Sequence, residues 1–233
     1  MMRTTWHALI ILLVLSGCTS SKGLDRAALR ETLRQDAFHQ IDTPNQTDRP
    51  PALRLTLPAK FALYLTPTGF LNRHFDWTGA DKDVFRLWAQ DMKSRGVLSD
   101  LYVVAESSAT GKSLQHLRDV AARYGADVLL IVDGADDIDR YNNYKGPLFY
   151  WTILGAYLAA GTHSDALCLV MATLWDVRTG VRYFTEEAEG LAKTIGPVAF
   201  LDDKDPIAQA KTAALRQITD RLKDRLLNLT RNR

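Results

Sequence analysis

The chain predicts an α/β fold: a single domain with a mixed β-sheet flanked by helices, a short apolar insert and a long C-terminal helix. Three observations carry this expectation. Strand-like and helix-like segments alternate through the first part of the chain and give way to consecutive strands later. The run Val128-Leu129-Leu130-Ile131-Val132 is unbroken apolar sequence, the pattern of a strand in the middle of a sheet covered on both faces. The last segment carries an apolar stripe at helical spacing: Ile207, Ala214, Ile218, Leu222, Leu226 and Leu229.

Each element has its own local signal. From Asp25 to Gln40, Leu24, Ala28, Leu29, Leu33 and Phe38 recur at roughly helical spacing among charges. Asp42 to Pro51 is rich in turn formers and reads as a linker, so residues 18–51 are expected to form a tether with a helical segment, and 52–233 the folded domain. Phe61–Leu65 reads as a strand. Residues 81–95 read as a helix in which Val84, Phe85, Trp88 and Met92 share a face. Thr78 and Asp81 resemble a capping box, and Gly96 ends the helix. Leu101–Ala105 is a strand. Ser113–Tyr124 is a helix with Leu114, Leu117, Ala121 and Tyr124 on one face, stopped by Gly125. Leu167–Val177 and Val181–Ala188 form a long hairpin whose turn, Asp176 to Gly180, offers Gly180 for positive φ. The final helix, expected over 206–229, has Asp205 as N-cap, Pro206 at its first position, and Arg231 and Arg233 at the negative end of its dipole.

Composition narrows the class. The 233 residues suit one domain plus a tether. With 29 Lys+Arg against 27 Asp+Glu there is no electrostatic pull toward nucleic acid. A hydrophobic fraction of 46% with five Trp is that of a globular chain able to bury a core.

The N-terminus is more specific. Arg3 precedes an apolar stretch from Ala8 to Leu15, and Leu15-Ser16-Gly17-Cys18 closes it. A basic start, a short apolar core and small residues at a cut site make a secretory signal peptide over 1–17. A cysteine directly after the small residues resembles a bacterial lipobox. That resemblance implies a diacylglycerol on the Cys18 thiol, cleavage before it, and acylation of the new amino group. The apolar run is well short of the ~20 residues a spanning helix needs. More than one acyl chain gives stable membrane anchoring, and Thr19 in place of Asp points to the outer membrane. With Cys18 acylated, Cys168 is the remaining thiol. It lies in Ala166–Met171, an apolar strand without an adjacent base or cation, and reads as buried and inert.

Three constellations stand out as candidates for chemistry or contact. Glu106 to Ser113 sits between a strand and a helix and ends in Gly111-Lys112-Ser113, like a phosphate-binding loop. Such a loop needs glycine where Glu106 stands, and a carboxylate there repels phosphate, so no nucleotide is expected. The acidic run Asp133, Asp136, Asp137 and Asp139 lacks the alternate spacing and the sixth-position glycine of a calcium loop, and reads as a solvated strand end. The five His are scattered; no catalytic, metal or cofactor site is expected. Gly146–Gly161 is uncharged from Pro147 to Ala160. As a helix this stretch extends about 21 Å, too short for a hydrocarbon core of about 30 Å. It fits a buried core helix, a segment lying on lipid, or an oligomer or partner contact. Phe149, Tyr150, Trp151 and Tyr157 are the candidate membrane or partner contacts.

The stretch Tyr150-Trp151-Thr152-Ile153-Leu154-Gly155-Ala156-Tyr157-Leu158 follows Tyr124-Gly125-Ala126-Asp127-Val128 and precedes Ala172-Thr173-Leu174-Trp175-Asp176-Val177-Arg178-Thr179-Gly180. Together these resemble the rhombotarget lipoprotein family, from about Leu57 to the final helix. Many members carry a C-terminal Gly-Gly segment, an apolar helix and a basic end. Here Leu222–Arg233 is amphipathic and charged, so the lipoprotein half of the comparison carries over. More broadly, Gly125-Ala126-Asp127 before an apolar strand, with a later strand reaching Val177-Arg178-Thr179-Gly180, resembles periplasmic α/β lipoprotein domains. These include the curli secretion lipoprotein, the activators of penicillin-binding proteins, and the N-terminal domain of the Tol-system β-propeller protein. The resemblance implies a non-enzymatic envelope protein that binds or scaffolds a protein partner or its own copies. The alternative it leaves is a subunit of an oligomeric secretion or transport assembly that uses the insert.

Overall fold

The computed structural model describes residues 21–34, 55–67, 75–108, 113–142, 162–196 and 204–231. The elements are α1 (Arg26–Arg34), β1 (Ala59–Leu65), α2 (Gly79–Ser94), β2 (Leu98–Val103), α3 (Leu114–Arg123), β3 (Val128–Asn142), β4 (Thr162–Asp176), β5 (Arg182–Gly196) and α4 (Lys204–Arg231). This is the expected α/β order.

The strands form one sheet in the order β2-β1-β3-β4-β5. β1 runs parallel to both β2 and β3, because helices α2 and α3 carry the chain back between them. β4 pairs antiparallel with both β3 and β5. Val128–Val132 lies in the middle strand and is wholly buried, as an unbroken apolar run requires.

Period-two alternation sends alternate side chains to opposite faces of the sheet. One face carries Phe61, Leu63, Val128, Leu130, Cys168, Val170, Ala172 and Leu174. It packs against Phe85, Trp88 and Met92 of α2 and Ala210, Ala214, Ile218, Leu222 and Leu226 of α4. The other face is covered in two parts. Leu114, Leu117, Val120 and Ala121 of α3 cover Ala62, Tyr64, Leu129, Ile131 and Trp175. Leu29 and Leu33 of α1 cover Ala135, Leu167, Leu169 and Met171. Arg26–Arg34, within the segment expected to be a helical part of the tether, is therefore helical and contributes to the core of the domain.

Local chemistry accounts for the boundaries. At α2, Thr78 Oγ1 accepts the Asp81 N–H while the Asp81 carboxylate accepts the Thr78 N–H, the capping box that the spacing predicts. Ser113 caps α3 by accepting the His116 N–H, so the last residue of the phosphate-loop look-alike serves a helix end. Gly180 turns the β4–β5 hairpin at φ +72°. The three long strands exceed their expected lengths: β3 runs ten residues past Val132, and β4 and β5 extend to Thr162 and Gly196. Their far halves contain Asp and Ser; of these, Asp137 and Asp139 are bonded by the covering segment described below, and Asp165 by Lys193 of the next strand.

Cys168 is fully buried in β4 beneath α4, and burial pushes its thiol pKa well up, so it is held as an inert thiol.

Gly190 in β5 is where α4 comes closest to the sheet. An added Cβ would collide with the Ala210 carbonyl oxygen and stand 2.6 Å from the Ala214 nitrogen. Gln217 of α4 accepts the Glu189 N–H at 2.9 Å, and Arg221 donates to the Glu187 carbonyl. These two backbone groups lie on the side of β5 away from β4, so α4 covers the middle of an edge strand.

Candidate functional site

The residues expected to act, Cys18, Phe149, Tyr150, Trp151 and Tyr157, lie outside the described residues, as do the rest of 1–20, all of 35–51 and the insert at 146–161. The structure does place the points where these segments join the fold. Asn142 and Thr162 are paired partners, so the chain between them leaves and re-enters the sheet at one place, the far end of β3 and β4. Ser21, three residues after Cys18, is held at that same end. Two sequence-remote features therefore join the domain side by side.

The holding group is Asp139. Its carboxylate accepts from the Ser21 hydroxyl, from the Lys22 N–H at 3.2 Å and from the Gly23 N–H at 2.9 Å. Asp137 accepts the Asp25 N–H at 3.1 Å. Arg26 then pairs with Glu189 at 2.9 Å, and Arg30 with Glu187. Leu24, Leu29 and Leu33 bury between these polar ties. Residues 21–34 thus form a strap laid across β3, β4 and β5, pinned at its start by carboxylate–amide bonds and along its length by apolar burial.

This corrects the reading of the acidic run as a solvated strand end. Asp139 and Asp133 are buried, and Asp137 and Asp139 point to the α1 face because odd positions of β3 share it with Ala135. The sequence signal was available: carboxylates at alternate strand positions mark one face, and the helical stripe of 24–33 needed an apolar surface to bury against.

Burial alone would raise the Asp139 carboxyl. The bonds from Ser21, Gly23 and Lys22 outweigh it and hold the pKa below the ordinary carboxylate value. A depressed folded-state pKa contributes stability that is fully present above the unfolded value of about 3.9 and is lost as pH falls through the folded value. A fluorescent probe on Lys22→Cys is expected to be immobile at neutral pH and to gain rotational freedom in acid, below pH ~4. Asp139→Asn should free it at every pH, read by fluorescence anisotropy.

At the end of the sheet the side chains on the strap's face form rows across the strands. Asp137, Leu167 and Leu191 make one, Asp139, Asp165 and Lys193 the next, and Tyr141, His163 and Ile195 the last. Lys193 pairs with Asp165 at 3.0 Å. The Tyr141 and His163 rings stack at 5.1 Å with an interplanar angle of 4°. Leu191 and Ile195 are 47% and 57% exposed, large apolar side chains in contact with solvent on an edge strand.

The opposite end of the sheet holds an open cleft of about 670 Å³, lined by Leu55, Pro58, Asp127, Asp176, Arg178 and Tyr183 among others. Its carboxylates are bonded by backbone groups and by one side-chain hydroxyl. Asp127 accepts the Lys60 N–H at 2.8 Å, and Asp176 accepts the Thr179 N–H and, at 2.8 Å, the Tyr183 hydroxyl. Burial first and the Asp176 carboxylate second raise the Tyr183 pKa, while hydrogen bonds from Thr179 and Tyr183 outweigh burial and hold the Asp176 carboxyl below its ordinary value. Among the described residues no three His, Cys, Asp or Glu side chains gather as metal ligands, and no helix is long and apolar enough to cross a membrane.

No protein-family model matches the chain, and no curated protein matches its sequence. Among solved structures it is similar to a Helicobacter pylori homolog of a neuraminyllactose-binding hemagglutinin, at 11% identity over 73% of this chain and 89% of that one, with a TM-score of 0.42. It is similar to the PelC dodecamer from Paraburkholderia phytofirmans at 13% identity, covering 72% and 89%, with a TM-score of 0.33. A lipoprotein from Neisseria meningitidis matches at 13% identity over 73% and 99%, with a TM-score of 0.31. Likeness at this level assigns no function to this chain.

Proposed function

We propose that this protein is a bacterial lipoprotein, anchored by acyl chains on Cys18 in the outer membrane and facing the periplasm, that binds or scaffolds envelope proteins without catalysis. One observation carries the reading: the lipobox cysteine stands three residues before a strap that the folded domain itself holds. A signal and a fold that meet so closely make a domain presented directly at a membrane surface. The carboxylates of the cleft are engaged by a strand N–H, a turn N–H and the Tyr183 hydroxyl, which supports binding over chemistry. This reading is in keeping with the lipoprotein half of the rhombotarget resemblance.

The test is the mass of the protein purified from membranes of a bacterial host, beside Cys18→Ser. A mass increased by diacylglycerol and an amide-linked chain, lost in Cys18→Ser together with membrane fractionation, is the expected result. An unmodified N-terminus would overturn the reading, and turnover of a substrate by the soluble Cys18→Ser form would overturn its non-enzymatic part.

A second reading, a subunit of an oligomeric assembly, is favoured by β5. This edge strand is 15 residues long, and its exposed Leu191 and Ile195 lie beyond the part that Gln217 and Arg221 cover. Light scattering on the acylated protein in detergent, beside a form lacking Pro147–Ala160, distinguishes a discrete oligomer from a monomer.

A further inference from the structure

Resting on the lipid anchor proposed above, we infer that the domain does not swing on a long tether but sits against the bilayer in one orientation, with the last row of the sheet, Tyr141, His163 and Ile195, meeting the lipid. The occupant of this exposed end is the bilayer surface itself.

Chain length carries the first part of the argument. Ser21, Lys22 and Gly23 are bonded to Asp139, so Thr19 and Ser20 are the only residues between the acylated position and the pinned strap. Three residues reach at most about 10 Å. From Asp139 to the strand ends at Asn142 and Thr162 is three residues of strand, also about 10 Å. The acyl chains therefore enter the membrane close to the end of the sheet. The β4–β5 turn and the cleft beside it are about 45–50 Å away, the length of a 15-residue strand, and out of the anchor's reach.

The chemistry of that end fits lipid. Stacked Tyr141 and His163 rings combine an apolar body with a polar edge, as residues at a membrane–water interface do. Ile195 follows in the same row, and Leu191 and Lys193 stand on the same face of β5, apolar and cationic in alternation. Lys22 and Arg140 are exposed at this end, where headgroups would lie, and Lys193 beside them is paired with Asp165. The carboxylates of the neighbouring rows are engaged: Asp137 and Asp139 by the strap, and Asp165 by Lys193.

The orientation assigns the two ends different roles. The strand ends face lipid, and the cleft of Asp127, Asp176 and Arg178 faces away from the membrane, toward periplasmic partners.

The test uses the full acylated chain in vesicles of phosphatidylethanolamine and phosphatidylglycerol, after its mass has confirmed the acyl chains. A fluorescent probe is placed on Ile195→Cys or on exposed Arg178→Cys; Cys168 is buried and does not compete. Nitroxide-bearing lipid is expected to quench the probe at 195 and to leave the probe at 178 at full intensity. Asp139→Ala should abolish that difference while circular dichroism shows the fold retained. Equal quenching at both positions would overturn the orientation and leave the anchor standing, whereas a mass without acyl chains would remove both. A probe at 195 shielded from lipid nitroxide and from aqueous iodide alike would place protein there, a second copy or residues 143–161, and would overturn the lipid contact.

Discussion

Gly190→Ala is expected to destabilise the protein by about 3 kcal/mol, the upper end for overpacking a filled interface. For a domain of this size that lowers Tm by roughly 6–12 °C. The added methyl has nowhere to go. It points at the backbone of α4, against the Ala210 carbonyl and the Ala214 nitrogen, and a helix backbone cannot rotate aside as a side chain does. To admit it, α4 must lift from β5, which partly uncovers Ala210, Ala214, Leu215 and Ile218 and disturbs the Gln217 and Arg221 ties to the strand edge. Gly79→Ala is the control. Its Cβ would meet nothing within 4 Å at the start of α2, and it should leave Tm unchanged or slightly higher. Thermal unfolding of the two variants in parallel checks the claim; equal Tm values would mean α4 does not sit where the sheet requires it.

Lys211→Ala is expected to cost about 3 kcal/mol, because it strands a carboxylate largely removed from water. Lys211 of α4 reaches Asp81 at 2.7 Å, with side-chain exposures of only 12% and 10%. Its ammonium also donates to the Asp76 carbonyl and lies 5.0 Å from the Phe75 ring centre. Asp81 is at the same time the N3 residue of the α2 capping box, so one carboxylate couples a helix start to a second helix. The double variant Lys211→Ala, Asp81→Asn should recover part of the loss, since the amide can still accept the Thr78 N–H and no charge is left buried. Denaturant midpoints of the two single variants and the double variant measure this coupling. Strict additivity would show that the pair is solvated. The more exposed Lys223–Asp91 pair, which joins the same two helices at 2.9 Å, should contribute far less.

Elements whose stabilising partners are local were legible along the chain. The Thr78/Asp81 box, the Ser113 cap, the Gly180 turn and the stripe of α4 each depend on residues within a few positions, and each appears where the spacing put it. Strand ends were less legible. The far half of β3, from Asp133 to Asn142, has poor strand composition, and the partners that satisfy it come from more than one hundred residues away in sequence. The same distance hid the strap. An amphipathic segment followed by a turn-rich linker reads as a tether until the sheet face that buries Leu29 and Leu33 is seen.

For the candidate site the division is similar. The lipobox-like run Leu15–Cys18 and the uncharged stretch from Pro147 to Ala160 are covalent patterns, complete in the order of residues, and the sequence by itself determined them. That the two join the fold at one end of one sheet was decided by the tertiary structure alone. Strand register sets Tyr141 beside His163 and Ile195, and a single carboxylate, Asp139, sets where the N-terminal strap begins. Register and long-range hydrogen bonds depend on which distant surfaces pack together, and no local spacing in the chain encodes that choice.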